Sequence, residues 1–284
     1  MPRTPLQPDH ALLCERCGYA LAGLDPDDHC PECGRIVADS LHARRIGSPF
    51  QRQPSAANWL RTVVSMLLHP ARTYDHLDVQ PAHDRTLRTI NVLIASALAV
   101  PAAINLIDPL ALWLFVIGGP DGWKENALAA LISLPVLAVV CLTLTRTEQA
   151  GIALFGPRRG WRITKPLARS ICAHASVGWI AGSAAASLGF AAGYGLERLA
   201  IHTSTGALND AFLLAPYAFA AFGLVGGMFA FEGLVFLGML RCKHANPGSL
   251  APTDGSAEQG QSPSVHPSGE DLHTGDSNPL PAAP

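Results

Sequence analysis

Four long stretches of this chain carry no Asp, Glu, Lys or Arg, and they constrain its fold more than any other feature. The stretches are residues 89–107, 126–145, 170–196 and 211–231, and apolar character continues after the last one to residue 240. A helix needs about 20 apolar residues to cross the hydrocarbon core of a bilayer, and in lipid only a helix satisfies its backbone internally. We therefore predict a mainly α polytopic membrane bundle with spans at about 89–107, 126–145, 170–196 and 211–240. The alternative of four buried helices in a soluble core is disfavoured, because such helices are usually shorter.

The composition supports the membrane interpretation through its deficit of charge. Charged residues make up 15 % of the 284 residues, whereas about 25 % is usual in soluble domains. The apolar fraction of 49 % is ordinary. The net charge of −2 predicts no polyanionic partner.

One further apolar segment, residues 109–119, is too short to cross a bilayer alone. It is either an interfacial or re-entrant piece or part of a fifth span.

The distribution of Lys and Arg predicts the orientation of the bundle, since these residues mark the cytoplasmic ends of spans. They are concentrated before residue 89, between residues 146 and 169, and at 241–243, whereas the segments 108–125 and 197–210 contain one each. The first 50 residues lack the continuous apolar region of a signal peptide. We expect a multi-pass protein of the cytoplasmic (inner) membrane with both termini in the cytosol.

Two cysteine pairs near the N-terminus predict a metal site. Cys14, Cys17, Cys30 and Cys33 have the spacing C-x2-C-x12-C-x2-C, which is typical of a closed, structural four-thiolate zinc site. A glycine follows each pair, where the turn needs a positive φ. Iron and a redox dithiol are the alternatives, and a reducing cytosol disfavours disulfides.

The segments CERCGYALAGL (residues 14–24) and CPECGRIV (residues 30–37) resemble the zinc-ribbon family. The resemblance implies two short knuckle-bearing hairpins around one metal ion. Residues 11–40 contain two cationic and six anionic side chains. Because nucleic-acid binding depends on cationic contacts with phosphates, this acidic ribbon favours a protein partner over a nucleic acid.

The segment between the ribbon and the first span has a helical pattern. After a Pro- and Ser-containing linker, residues 56–69 form an amphipathic pattern with Ser55 as the N-cap. This helix lies either in the membrane interface or against the end of the bundle. The order of elements over residues 56–240 resembles the Yip-type membrane family, which usually has five spans where we count four. With its ribbon, the chain resembles a class of bacterial membrane proteins. The resemblance implies a role in membrane organisation without known catalytic residues.

Small residues recur every four positions in the third and fourth spans, at 178, 182 and 186 and at 223 and 227. This spacing allows close helix packing, either within one chain or in a homodimer. His174 and Glu232 lie at similar predicted depth and form a candidate intramembrane polar pair. The pair is either a proton or cation site or a packing hydrogen bond.

The chain thus divides into a cytosolic zinc ribbon (1–45), a linker with interfacial helices (46–87), a transmembrane bundle (88–243) and a disordered tail (244–284). The basic loop 146–169 either contacts anionic lipid or only sets topology. The motifs HExxH, GxSxG and Walker A are missing, so we expect no enzyme.

The function that these features favour is a non-enzymatic scaffold or organiser, with a structural zinc ribbon that contacts a cytosolic protein. A small ion- or proton-coupled transporter using His174 and Glu232, and a membrane-tethered nucleic-acid-binding regulator, are the alternatives.

Overall fold

The computed structural model describes residues 11–41, 44–79, 82–107, 122–203 and 214–246, and it confirms a mainly helical protein. Its helices are α1 (Pro49–Arg52), α2 (Ala56–Leu68), α3 (Pro70–Asp75), α4 (Asp84–Ile107), α5 (Gly122–Arg158), α6 (Lys165–Ala175), α7 (Val177–Thr203) and α8 (Ala215–Cys242). Extended pairing in the described ranges is limited to two isolated bridges near the N-terminus. We call residues 11–41 the head, because they hold the four cysteines.

Four helical segments in the described ranges are long and apolar enough to cross a membrane. They are Asp84–Ala103, Leu131–Arg158, Lys165–Leu196 and Ala215–Cys242. These segments overlap the four stretches predicted from the missing charges. The segment 109–119 and the tail after residue 246 lie outside the described residues.

The basic segment 146–169, which we predicted as a loop, is largely helical. Helix α5 continues past the apolar stretch to Arg158. It ends where Gly160 adopts a φ of 75°. There the Trp161 N–H donates to the Gly156 carbonyl at 3.1 Å and the Gly160 N–H donates to the Pro157 carbonyl at 3.0 Å, the pattern of a Schellman cap. Charged residues mark the end of the apolar segment, whereas the cap marks the end of the helix.

The third span is broken at Ser176, between α6 and α7. The Ser176 hydroxyl donates to the Ala173 carbonyl at 2.6 Å and accepts from the Asn91 amide of α4 at 3.0 Å. The Trp59 indole of α2 donates to the same Asn91 side chain at 2.7 Å. Polar side chains therefore join α2, α4 and the broken span.

Helix α2 begins as predicted, because the Ser55 hydroxyl accepts from the Asn58 N–H at 3.2 Å. Val63 and Met66 are buried against the end of the bundle. A second set of apolar side chains on α2 is exposed, namely Leu60, Val64, Leu67 and Leu68. One face of α2 is therefore packed on the bundle. The other face exposes apolar side chains, so a position of α2 in the membrane interface stays a prediction.

Helices α7 and α8 approach each other closely at their small residues. A Cβ added to Gly182 would lie 2.2 Å from the Cα of Gly227, and one added to Gly223 would lie 2.3 Å from the backbone nitrogen of Ala186. Only glycine permits such backbone contact. The predicted small-residue stripes thus pack against each other within one chain, and the homodimer stays a prediction.

Candidate metal centre

Each cysteine pair of the head lies in a tight turn, and the two turns have the same hydrogen bonds. The Gly18 N–H donates to the Cys14 carbonyl at 2.8 Å, and the Gly34 N–H donates to the Cys30 carbonyl at 2.9 Å. Gly18 has a φ of 83° and Gly34 a φ of 70°. These positive values confirm why a glycine follows each pair, since other residues rarely adopt them.

The two turns bring all four predicted ligands together. The sulfur atoms of Cys14, Cys17, Cys30 and Cys33 lie within 4.8 Å of one another. The Cys14 and Cys33 sulfurs are 3.5 Å apart, and those of Cys17 and Cys30 are 3.6 Å apart. A tetrahedral site with metal–sulfur bonds of about 2.3 Å has sulfur–sulfur edges of about 3.8 Å. The cluster therefore has the dimensions needed to hold one metal ion.

The same distances exclude disulfides among these thiols, because a disulfide joins its sulfurs at about 2.05 Å. All four are free cysteines. Burial favours the neutral thiol at Cys14, but the backbone N–H groups of Cys17 and Arg16 donate to its sulfur and its pKa falls to about 7. Burial raises the pKa of Cys17 above its ordinary value. A bound divalent cation would favour the thiolate at every position.

The donor set and its surroundings fit a closed structural site. Cys14 and Cys30 are buried together with Leu21 and Val37, which form the small core of the head. Four protein ligands complete a tetrahedral shell, and no ligand position is left for substrate. A metal held by these four residues would supply cross-links that a core of this size lacks.

Asn246, just after α8, fastens the head to the bundle. Its side-chain oxygen accepts from the Leu13 N–H at 3.0 Å, and its side-chain nitrogen donates to the carbonyls of Leu13 and Ser40, each at 2.8 Å. Asn246 is fully buried, and the neighbouring Ala245 is 2 % exposed. We predicted a disordered tail from residue 244, but 244–246 belong to the folded unit. Composition could not reveal this, since these residues are held by contacts with segments that are distant along the chain.

A buried ion pair makes the second attachment. The Arg45 Nε donates to a Glu15 carboxylate oxygen at 2.6 Å. The side chain of Arg45 is 1 % exposed and that of Glu15 is 9 % exposed. Arg45 also donates to the carbonyls of Tyr74 and Leu77 at 3.2 Å. The guanidinium thus joins the first cysteine turn to the end of α3.

Two further contacts complete the attachment. Arg162, between α5 and α6, donates to the Ala11 carbonyl at 2.7 Å. The His244 ring covers Gly18, so that a Cβ at Gly18 would lie 2.8 Å from it. Burial lowers the pKa of His244, and the cations of Lys243 and Arg162 lower it further. The head is therefore held by residues that come before the first candidate span, between the second and the third, and after the fourth.

His174 lies in a buried polar cluster. Its Nδ1 is 2.9 Å from the Ser170 carbonyl and its Nε2 is 2.9 Å from the Ser48 hydroxyl. A carbonyl only accepts, so Nδ1 carries a proton and donates to the Ser170 carbonyl. Both ring nitrogens therefore have partners other than Glu232.

Glu232, the other member of the predicted pair, is exposed on α8. Asp84 of α4 is instead the buried carboxylate of the cluster around His174. It accepts from the Ser170 hydroxyl and, at 3.1 Å, from the Gln51 amide. The cluster joins α1, α4 and α6. The use of His174 and Glu232 in transport stays a prediction that these contacts do not support.

Asn246, Arg45 and Asp84 were not identified from the sequence. Asn246 stands in a polar segment and Arg45 at the end of the predicted ribbon, where single residues form no pattern. Asp84 offered a weak signal, since it is a carboxylate next to the first span.

Comparisons of this chain with protein-family models, with curated proteins and with solved structures find no match, so the zinc-ribbon and Yip-type resemblances stay predictions.

Proposed function

We propose that this protein is a non-enzymatic membrane scaffold, and that its head is a zinc-stabilised docking site for a basic segment of a cytosolic protein. The observation that carries the proposal is the rigid attachment of the head to the bundle through Asn246 and the Arg45–Glu15 pair. A module on a flexible tether would lose orientational freedom when it binds. A module that is already fixed avoids that loss, which favours a docking role.

The charge of the head supports a basic partner. Its exposed carboxylates are Asp25, Asp27, Asp28 and Glu32. Tyr19 is 37 % exposed and Ile36 is 43 % exposed on the same small unit. Acidic groups next to partly exposed apolar side chains suit a protein segment that carries Lys or Arg beside an apolar residue. The same carboxylates oppose phosphate backbones, which disfavours nucleic acid.

Zinc is the proposed metal because four thiolates in a closed tetrahedron satisfy it without redox chemistry. Iron also accepts four thiolates. Elemental analysis of the full chain, purified under reducing conditions, should find about one zinc per molecule. Iron in its place would contradict the assignment of zinc, and less than about 0.2 equivalents of either metal would contradict the site.

The cytoplasmic membrane, with the head in the cytosol, is the proposed location. The support comes from Arg162 and Arg241, which lie at the end of the bundle that contacts the head, and Lys and Arg mark cytoplasmic ends. A reporter that is active only in the cytosol should give a signal when it is fused after Lys243, and one that is active only outside the cytosol should give none. An extracytoplasmic signal would contradict the orientation.

Site-specific photocrosslinking in intact cells tests the docking function. A photoreactive residue at Asp27 should crosslink to a protein partner, whereas one at Leu131, which is 72 % exposed on α5, should crosslink mainly to lipid. A partner captured at Asp27 should be lost when Asp25 and Asp28 are changed to Asn and retained when they are changed to Glu. Capture that is equal in both variants would contradict a docking site based on charge.

A further inference from the structure

A cleft of about 610 Å³ lies where the head meets the ends of α3 and α8. We call it the basic cleft, because five of its lining side chains are cationic: Arg16, Arg35, Arg44, Arg241 and Lys243. Its volume is within the range of small-molecule sites, about 300 to 1,000 Å³. The exposed carboxylates proposed for docking, Asp25, Asp27, Asp28 and Glu32, do not line this cleft.

The carboxylates of the cleft are already paired. Asp39 contacts Arg44 at 2.7 Å and Arg35 at 3.5 Å. Asp75 contacts Arg241 at 3.3 Å.

The third carboxylate, that of Glu15, forms an ion pair with Arg45, which does not line the cleft. Arg16 from the head and Lys243 from the end of α8 remain without an ion-pair partner among the described residues. Two cations without an ion-pair partner, one from the head and one from the end of α8, favour an anion in the cleft.

Two apolar residues of the cleft lining belong to a candidate membrane-spanning helix. Leu237 and Leu240 line the cleft from the last turns of α8, which is one of the candidate spans. Leu240 is 42 % exposed. The cleft therefore has leucines at the level where α8 leaves the membrane and cations directly beyond them. A ligand with a phosphate and an acyl chain matches both parts.

We propose that the basic cleft binds the phosphate group of an anionic phospholipid, with Arg16 and Lys243 as its main cationic contacts and Leu237 and Leu240 beside its acyl chain. The walls of the cleft come from the head and from the bundle, so the lipid would join the two. Basic pockets at the cytoplasmic ends of helices bind lipid head groups in this way.

Native mass spectrometry of the full metal-loaded chain, released from detergent containing phosphatidylglycerol or phosphatidylcholine, tests the proposal. We expect one phosphatidylglycerol to be retained per chain in preference to phosphatidylcholine. Each cation near an anionic lipid contributes about fivefold in affinity. Arg16→Gln together with Lys243→Gln should therefore weaken retention by about 25-fold.

The matched control changes two exposed arginines outside the cleft, Arg52→Gln with Arg61→Gln, and should alter retention by less than about twofold. Equal effects of the two double variants would overturn the proposal. Arg16 lies between two metal ligands, so the metal content of each variant is measured as well. If the double variant loses metal, Lys243→Gln alone provides the test, with an expected decrease of about fivefold.

Inorganic phosphate at matched ionic strength separates the two sources of a phosphate group. It should leave the retained lipid in place, because it has no acyl chain to lie beside Leu237 and Leu240. Displacement of the lipid by inorganic phosphate would overturn the lipid assignment in favour of a soluble phosphate compound. If the unchanged protein retains no phosphatidylglycerol but still gives the Asp27 crosslink, this proposal is contradicted and the docking function stands.

Discussion

Replacing Asn246 by Ala should speed the release of metal from the head by about two orders of magnitude. The substitution removes three short hydrogen bonds to Leu13 and Ser40, besides a longer one from Arg162 at 3.4 Å. A hydrogen bond contributes about 1 kcal/mol net, so the loss is about 3 kcal/mol, or about 150-fold in the equilibrium for opening the head. The Leu13 and Ser40 backbone groups that lose their partner are buried, so hydrogen bonds to water do not offset the loss.

The assay is the transfer of metal from the full chain, in detergent and under reducing conditions, to an excess of a chromogenic chelator. When opening and closing are fast relative to capture, the transfer rate follows the population of the open state. Asn58→Ala is the matched control, because the hydrogen bonds of the Asn58 side chain lie at the surface. It should change the rate by less than about threefold.

Asn246→Asp distinguishes lost hydrogen bonds from lost volume. The carboxylate keeps the acceptor for the Leu13 N–H but cannot donate to the carbonyls of Leu13 and Ser40. It also places a negative charge beside Glu15, whose carboxylate is 3.4 Å from the Asn246 N–H. Because Arg162 lies 3.4 Å from the same side-chain oxygen and would compensate part of the new charge, we expect release to be faster than in the unchanged protein. A release rate like that of the unchanged protein, for either variant, would refute the reasoning.

Three further predictions concern the site and its support. Cys17→Ser should abolish stoichiometric metal binding, whereas Cys141→Ser in α5 should retain one ion per chain by elemental analysis; equal contents would contradict the four-cysteine site. Gly223→Val should lower the midpoint of thermal unfolding, since its Cβ would lie 2.3 Å from backbone, whereas Gly226→Val on the open side of α8 should not. Arg45→Ala leaves a buried carboxylate without its partner and should cost about 3–5 kcal/mol in chemical unfolding; a loss below about 1 kcal/mol would show that the pair is solvated.

The features that could be predicted from the sequence depend on spacing along the chain. The four spans follow from runs without charge, because a helix in lipid tolerates few charges over about 20 residues. The cysteine cluster follows from two local turns, since each CxxC pair and its glycine determine their own geometry. Both signals are contained within short segments and need no knowledge of distant contacts.

The features that could not be predicted depend on contacts between distant segments. Depth along a span placed His174 level with Glu232, but depth does not give the rotation of a helix about its axis. The break at Ser176 separates α6 from α7, and His174 contacts Ser48 instead of α8. The extension of α5 to Arg158 was missed because charge marks the edge of a membrane, not the end of a helix.

The hydrogen bond between Leu13 and Asn246 joins positions 233 residues apart, and this separation has a consequence for biosynthesis. At about 5 to 20 residues per second, the ribosome adds the second partner about 12 to 47 seconds after the first. During that interval the cysteine turns can already bind metal, but the Asn246 side chain that pairs with the Leu13 and Ser40 backbone groups has not yet been synthesised. The attachment through Asn246 can form only after α8 has been made, whereas the contacts of Arg45 and Arg162 can form earlier. Complete attachment of the head therefore requires that all four apolar helices have already been synthesised.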